Sequence, residues 1–333
     1  MSTGFGEATR VRHVAHQNAK MAGRFAPSPT GDLHLGNLRT ALVAWLAARS
    51  SGRGFIVRME DLDRVTSSPE FERRQLDDLA AIGLDWDGEV VRQSERFSIY
   101  DAAIDRLARL GRVYPCYCTR REIRAEIESA VRAPHQYLPD GAYPGTCRDL
   151  TEARRRRREA EGRRPALRLR TDQESITVHD LAAGEFTGLV DDVVLARADG
   201  VPAYNLAVVV DDAAQGVSQV VRGADLLSST PRQILLQRLL GEATPEYLHV
   251  PLVLGDDGQR LAKRHGGVTL GDLAGLGWSP TDVLAALARS LQLSTGDERP
   301  TIRQLLDRFT TDRIPKSPVD RTTELTFIAP SDV

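Results

Sequence analysis

The chain is predicted to fold as a doubly wound parallel α/β sheet, on three observations. A short apolar run, Arg24-Phe25-Ala26, breaks at Pro27-Ser28-Pro29, turns through Thr30-Gly31-Asp32 and enters a helix at Leu33-His34-Leu35-Gly36-Asn37. In that helix Leu38, Ala41, Leu42, Trp45 and Leu46 recur at i, i+3, i+4, i+7 and i+8, one apolar face. Phe55 to Met59 then has the pattern of a buried parallel strand, and helix and strand patterns alternate beyond it.

Each element follows from its own pattern. Gly52-Arg53-Gly54 turns into the second strand, which ends at Glu60-Asp61-Leu62-Asp63, where ligands bind in open α/β sheets. Pro69 to Leu84 and Tyr100 to Leu110 are amphipathic helices, with a Trp86-containing loop between them. From Cys116 the pattern changes: Cys-Tyr-Cys, a helix from Arg120 to Val131, a loop with Pro134, Pro139, Gly141 and Pro144, then Cys147. Arg154 to Arg158 is a run of five arginines on a helix, which reads as a solvated face more readily than as an RNA patch. Leu167 to Arg170, Ile176 to Val178, Leu189 to Ala196 and Ala203 to Val210 have strand patterns. Asp225 to Leu240 is helical, His249 to Leu254 is a last buried strand, and Gly255-Asp256-Asp257-Gly258 is a tight turn. Asp282 to Leu291 and Ile302 to Phe309 are short helices, and Pro315 to Val333 has little pattern.

Composition bounds the function. A chain of 333 residues, 41% hydrophobic and 27% charged, is of soluble globular type with room for about two domains. Its net charge of −2 announces no nucleic acid, so any RNA contact must come from local basic patches. No apolar run approaches a membrane span. Three cysteines without a signal peptide point to a reducing, cytoplasmic setting. Residues 1–20 are expected to be a disordered extension or a mis-assigned start, since Met21 stands directly before the first strand. Lysine occurs only at 20, 263 and 316, which draws attention to Lys263.

A strand, a Pro/Gly turn and a helix N-terminus make a phosphate site, where backbone N–H groups and the helix dipole face the ligand. His34 can add a donor, and Gly36 leaves room for a nucleotide. An isolated His-x-Gly is more often an ordinary cap, but PSPTGxLHLGN as a whole resembles the first (HIGH) signature of class I aminoacyl-tRNA synthetases, in the glutamyl/glutaminyl branch. Asn37 stands where the second histidine would be. Gly258-Gln259-Arg260-Leu261-Ala262-Lys263-Arg264 resembles the second, KMSKS signature, with Arg260 for the first lysine and Ala262 for the serine. The resemblance implies that His34, Asn37 and Lys263 act in catalysis. It also implies that His34, Gly36, Asn37, Arg260 and Lys263 bind ATP, which brings Mg²⁺.

Arg24 and Arg222 are candidate partners for a carboxylate, Glu60 for an α-ammonium, and Tyr204 can close the pocket with its hydroxyl. The resemblance implies that Arg24, Phe25, Ala26, Pro27, Ser28, Glu60, Tyr204 and Arg222 bind L-glutamate. Around them stand RxEDLD-like Arg58 to Asp63, YNLAVVVDD at Tyr204 to Asp212 and VVRGADLL at Val220 to Leu227. An arginine facing the substrate side chain rejects glutamine, because an amide cannot compensate a desolvated guanidinium.

Cys116, Cys118 and Cys147 supply three thiolates toward a tetrahedral zinc site, with His135 the first guess for a fourth ligand on chemistry alone. The spacing Cys-x-Cys…Tyr-x-x-x-Cys resembles the zinc motif of glutamyl-queuosine tRNA(Asp) synthetases, which implies Tyr143 instead, in a structural site for one Zn²⁺.

The similarity spans Gly23 to Arg308, and the chain ends soon after two short helices, so no anticodon-binding domain is expected. The resemblance implies a Rossmann-type catalytic domain in two halves (21–112 and 201–265), an inserted zinc and acceptor-binding-like subdomain (113–200), a short helical segment (266–314) and a loose tail (315–333). It implies activation of L-glutamate with ATP and transfer to queuosine at the wobble position of tRNA(Asp), by a monomer with no side-chain nucleophile and no membrane partner. The rival readings are a truncated glutamyl-tRNA synthetase charging the 3′ end of tRNA(Glu), a non-catalytic glutamate- or RNA-binding paralogue, and a ligase for another acceptor.

Overall fold

The computed structural model describes residues 21–130, 142–254, 268–314 and 319–320. Residues 1–20, the loop carrying Pro134, His135, Pro139 and Gly141, the Gly255–Gly258 turn with Arg260, Ala262 and Lys263, and most of the 315–333 tail lie outside them.

The chain runs β1 (Ala22–Phe25), α1 (Leu35–Ser50), β2 (Gly54–Met59), α2 (Pro69–Ala81), β3 (Val91–Arg92), α3 (Phe97–Arg109), β4 (Val113–Cys116), α4 (Arg120–Ala130) and α5 (Glu152–Ala160). It continues through β5 (Ala166–Leu169), β6 (Ser175–Asp180), β7 (Gly184–Leu189), β8 (Val194–Ala196), α6 (Tyr204–Ala214), β9 (Val217–Gly223), α7 (Thr230–Leu240), β10 (Glu246–Val250) and β11 (Val253–Leu254). Last come α8 (Leu270–Gly275), α9 (Pro280–Ser290), α10 (Ile302–Arg308) and β12 (Val319–Asp320), which pairs with β11.

The main sheet has the order β3-β2-β1-β9-β10-β6-β7, parallel throughout except for the antiparallel β6–β7 edge. Strand order reverses between β1 and β9, so the crevice beyond their carboxyl ends is the switch point of a doubly wound sheet. Helix α1 lies against β1, β2 and β9. It is buried on nearly every side, not on one face: Val43, Ala44 and Ala47 are covered as well as Leu38 and Leu42, and so is Arg39. Small residues let the sheet and α9 approach closely, and Arg39 satisfies its charge internally, donating to Pro251 O (2.8 Å), Ser290 Oγ (3.1 Å) and Ser290 O (3.3 Å). Among the described residues no helix is long and apolar enough to cross a membrane.

Several elements depart from their sequence patterns. Ala203 to Val210, which reads as a strand, is the start of helix α6. An apolar run covered on both sides has no period that separates helix from strand. What favours the helix is its end, where the adjacent Asp211 and Asp212 are both buried and take different partners. Gln93, Arg96 and Tyr100 donate to Asp211, and Arg24 and Arg58 donate to Asp212. Leu189 to Ala196 is two strands, split where buried Asp191 and Asp192 turn to Arg232 and to Tyr114 and Arg148. His249 to Leu254 breaks at Pro251, which has no N–H for a ladder. The first part of the expected Asp225–Leu240 helix is a 3₁₀ turn, Ala224–Ser229; the α-helix begins at Thr230 with Pro231 in its first turn.

Strands β4, β5 and β8 form a separate three-stranded sheet, whereas β6 and β7 join the main one. The stretch 113–200 therefore contributes to both layers. The small sheet carries its own core of Tyr114, Cys116, Tyr117, Tyr143 and Cys147.

Candidate active site and cysteine centre

A cavity of about 700 Å³ lies at the switch point, within the range of small-molecule sites. Its walls include Arg24, Ser28, His34, Gly36, Asn37, Glu60, Tyr204 and Arg222, with Phe25, Ala26 and Pro27 along the first turn. Residues separated by nearly two hundred positions in the chain therefore meet in one place.

The turn between β1 and α1 is held from behind. Gln75, buried under it, donates to Ser28 O (3.1 Å) and Gly31 O (2.7 Å), and the Glu60 N–H donates to Pro27 O (2.9 Å). At the helix start His34 is the N-cap. Its Nδ1 accepts from the Asn37 N–H, while the His34 N–H donates to Asn37 Oδ1, both at 3.3 Å. This capping box fixes the imidazole tautomer: Nδ1 is the acceptor, so Nε2 carries the proton. Asn37 therefore acts locally as the other half of the cap. Gly36 has a nearer reason to be glycine than ligand approach, since a Cβ there would lie 3.0 Å from His34 Cε1. Val268 O accepts from the Leu35 N–H (3.0 Å), and Thr269 bridges to His34. Both described flanks of the 255–267 stretch, Val253 on one side and Val268 on the other, thus stand at the start of α1.

Three buried arginines line or back the cavity, and they are neutralised differently. Arg58 donates to Asp212 Oδ1 (2.7 Å), Gln215 Oε1 (2.9 Å) and Glu60 Oε1 (3.3 Å); Arg24 donates to the same Asp212 oxygen (3.3 Å) and to Val221 O (3.0 Å). Burial pushes the Asp212 carboxyl up, but Arg24 and Arg58 outweigh it and hold the group below its ordinary value. Burial pushes the Glu60 carboxyl up, against the pull of Arg58 and Arg24. Arg222 differs. Its guanidinium donates to His249 Nε2 (3.1 Å), Gln233 Oε1 (2.8 Å), Thr230 Oγ1 (2.9 Å) and Tyr204 Oη (3.4 Å), all neutral, and among the described residues it pairs with no carboxylate. Among the described residues the cavity thus offers a cation with no carboxylate in ion-pair contact, together with a carboxylate and a helix N-terminus.

Sequence reasoning passed over Arg58, Asp212, Gln75, Gln233 and His249. Two had a signal: Arg58 interrupts the apolar run Phe55–Met59 and Asp212 follows Ala207–Val210, and a charge in a buried run demands a partner.

The second centre lies in the small sheet. The Sγ atoms of Cys116, Cys118 and Cys147 lie within 4.8 Å of one another, and Tyr143 Oη is 3.3 Å from Cys116 Sγ and 3.7 Å from Cys118 Sγ. Cys118 and Cys147 sulfurs are 3.3 Å apart and unbonded. A tetrahedral site with bonds of about 2.3 Å needs sulfurs roughly 3.8 Å apart, so a small expansion would admit a zinc-sized ion. Hydrogen bonds from Cys118 and Cys147 stabilise a thiolate on Cys116 and correspondingly push Cys118 up. The Arg168 guanidinium lies 3.7 Å over the Tyr143 ring, a favourable neighbour for an anionic ligand set. The residues fit such an ion, with Tyr143 as the fourth convergent group; His135 lies outside the described residues.

The family model described as tRNA synthetases class I (E and Q), catalytic domain, matches residues 20–319. A glutamyl-Q tRNA(Asp) synthetase of Nocardia farcinica is 61% identical over 297 residues, covering 89% of this chain and 92% of the relative. One from Symbiobacterium thermophilum is 50% identical, covering 90% and 95%. Among solved structures, a glutamate tRNA ligase from Elizabethkingia meningosepticum in complex with its amino acid superposes with a TM-score of 0.75 at 27% identity, over 90% of this chain and 67% of that one.

Proposed function

Because the chain belongs to the class I tRNA synthetase (E and Q) catalytic-domain family, we propose that it activates L-glutamate with ATP and transfers it to queuosine in tRNA(Asp). The observation that carries the amino-acid half is Arg222, a buried cation whose hydrogen-bond partners among the described residues are all neutral. A substrate carboxylate supplies the missing charge, and a neutral amide cannot.

Arg222 and Tyr204 would take the side-chain carboxylate together with Arg24. Glu60, close to the first turn and Ser28, would take the α-ammonium, whose charge offsets the cost of keeping Glu60 ionised. The α-carboxylate oxygen attacks the α-phosphorus of ATP, and the bond to the bridging oxygen breaks to release pyrophosphate. The N-terminus of α1 and the Nε2–H of His34 suit the charge that develops there. Gly36 and Asn37 hold that histidine, and Arg260 and Lys263, on the stretch whose flanks meet α1, would draw charge from the leaving pyrophosphate. Mg²⁺ would accompany ATP. A queuosine hydroxyl then attacks the acyl carbon, its proton leaves, and AMP departs. No side-chain nucleophile is used.

Cys116, Cys118, Cys147 and Tyr143 would hold one structural Zn²⁺. Bound there, zinc would cross-link β4 to the turn at Cys147 and stiffen the small sheet. Unbonded cysteines suit a reducing, cytoplasmic setting, and one chain supplies every group invoked. Charging of tRNA(Glu) is the less favoured acceptor, since relatives of matching length carry the glutamyl-Q name. Glutamate-dependent exchange of pyrophosphate into ATP tests the activation step. Its absence with glutamate would remove the reading.

A further inference from the structure

Arg222 stands opposite His249 in the parallel register of β9 and β10, and α7 covers both through Thr230 and Gln233. Every acceptor that the described residues place around the guanidinium is neutral, and two of them are themselves held by further hydrogen bonds. Gln233 Nε2 donates to Asn205 Oδ1 (3.0 Å), which leaves its carbonyl, not its amino group, to face Arg222 Nη1. His249 presents Nδ1 to Asp180 Oδ2 at 2.5 Å and its backbone N–H to the same carboxylate, so Nδ1 carries the proton and Nε2 accepts from Arg222. Asp180 is the nearest carboxylate along this chain of hydrogen bonds. Its lone pairs are spent on His249 and on the Ala182 and Ala183 N–H groups, one residue short of Arg222. The guanidinium carbon lies over the Tyr247 ring, 5.6 Å from its centroid. By contrast Arg24 and Arg58, on β1 and β2, share Asp212, whose carboxylate attracts Arg222 without hydrogen-bonding or ion-pairing it.

We infer that Gln233 is a specificity-determining residue: with Thr230 and His249 it surrounds Arg222 with oriented neutral acceptors, so the charge of Arg222 is left for an acidic side chain of the substrate. The inference rests on reading the cavity as the amino-acid site, and it deepens that reading. Arginine selects acid over amide only while its own charge is uncompensated. A guanidinium already paired with a protein carboxylate would accept an amide oxygen as readily as an acid. Selection needs the counter-ion withheld, and Gln233 occupies the place where a glutamate of nearly the same shape would supply one. A structural role alone, packing α7 against β9, would make the side chain's volume important and its charge irrelevant.

The test is calorimetric binding of L-glutamate and of L-glutamine to the full chain, which needs no turnover, for the parent, Gln233→Glu and Gln233→Met. The parent is expected to prefer glutamate. Gln233→Glu should weaken glutamate binding by roughly thirtyfold or more, the cost of removing a buried charge partnership, while glutamine binding changes little, so the preference collapses. Gln233→Met, neutral and of similar volume, should bind both less well and keep the preference. Should Gln233→Glu fail to fold, Thr230→Asp places a carboxylate beside Nη2 and is expected to collapse the preference in the same way. A parent without preference, a Gln233→Glu protein that still selects glutamate, or a Gln233→Met protein that loses selection as fully as Gln233→Glu would each overturn the inference. Selective binding without pyrophosphate exchange would leave the inference standing and remove the proposed activity.

Discussion

Arg24 and Arg58, on adjacent strands, both donate to the same oxygen, Asp212 Oδ1, at 3.3 and 2.7 Å, and all three side chains are buried. This shared carboxylate sets the charge balance on one side of the cavity. Asp212→Asn leaves two desolvated guanidinium groups with one anion fewer, so we expect a loss of about 3–5 kcal/mol in urea unfolding at neutral pH. The Asp212 pKa is depressed on folding. Its stabilisation is therefore complete above the ordinary aspartate value of about 3.9 and is lost as pH falls below it, so the difference between parent and variant should shrink only in acid.

Gly36→Ala should separate stability from activity. Alanine gains at most about 1 kcal/mol of helix propensity over glycine, and a displaced His34 cap loses about 0.5–2 kcal/mol, so the two nearly offset and the melting temperature should hold or fall slightly. The new Cβ meets the His34 ring at 3.0 Å and must displace it, and on the role proposed for His34 such a displacement costs roughly tenfold to a hundredfold. Pyrophosphate exchange at saturating glutamate is the measurement. Unchanged exchange would argue that the His34 ring position does not matter.

Sequence patterns made the first half of the molecule legible and lost the middle. The turn from Arg24 to Gly36 was readable because Pro, Gly and a periodic helix mark its edges. Tyr204 and Arg222, which line the cavity, enter as candidates through motif resemblance, while the element carrying Tyr204 reads as a strand because Val208, Val209 and Val210 favour one locally. Tertiary partners of Asp211 and Asp212, from positions 24, 58, 93, 96 and 100, supply what the local run lacks. The neutral surroundings of Arg222 were invisible for the same reason: Gln233 and His249 are ordinary residues until the β9–β10 register and α7 bring them together.

Asp78 on α2 carries a carboxyl pushed up to about 6, by burial first and then by Asp32 and Asp77. A carboxylate whose pKa rises on folding destabilises the fold once ionised, a cost that grows as pH climbs from about 4 to 6 and is complete above. Asp78→Asn should therefore gain about 1 kcal/mol at pH 8, allowing for solvent screening, and nothing below about pH 4. Denaturant midpoints at the two pH values decide it.

Metal analysis of the protein purified without added zinc should return one zinc per chain, and Cys147→Ser should lose it. Chelator is expected to lower the melting temperature of the parent and not of the variant. Tyr143→Phe should keep the ion but hold it less tightly, since water can replace the phenol oxygen while the three thiolates remain. Metal retained by Cys147→Ser at parental affinity would place the ion elsewhere.

Transfer of labelled glutamate, with ATP, onto tRNA from a queuosine-making strain and from a queuosine-deficient one decides the acceptor. Label is expected only on tRNA(Asp) that contains queuosine, and none on the deficient pool. Label on tRNA(Glu) from both strains would contradict the proposed acceptor.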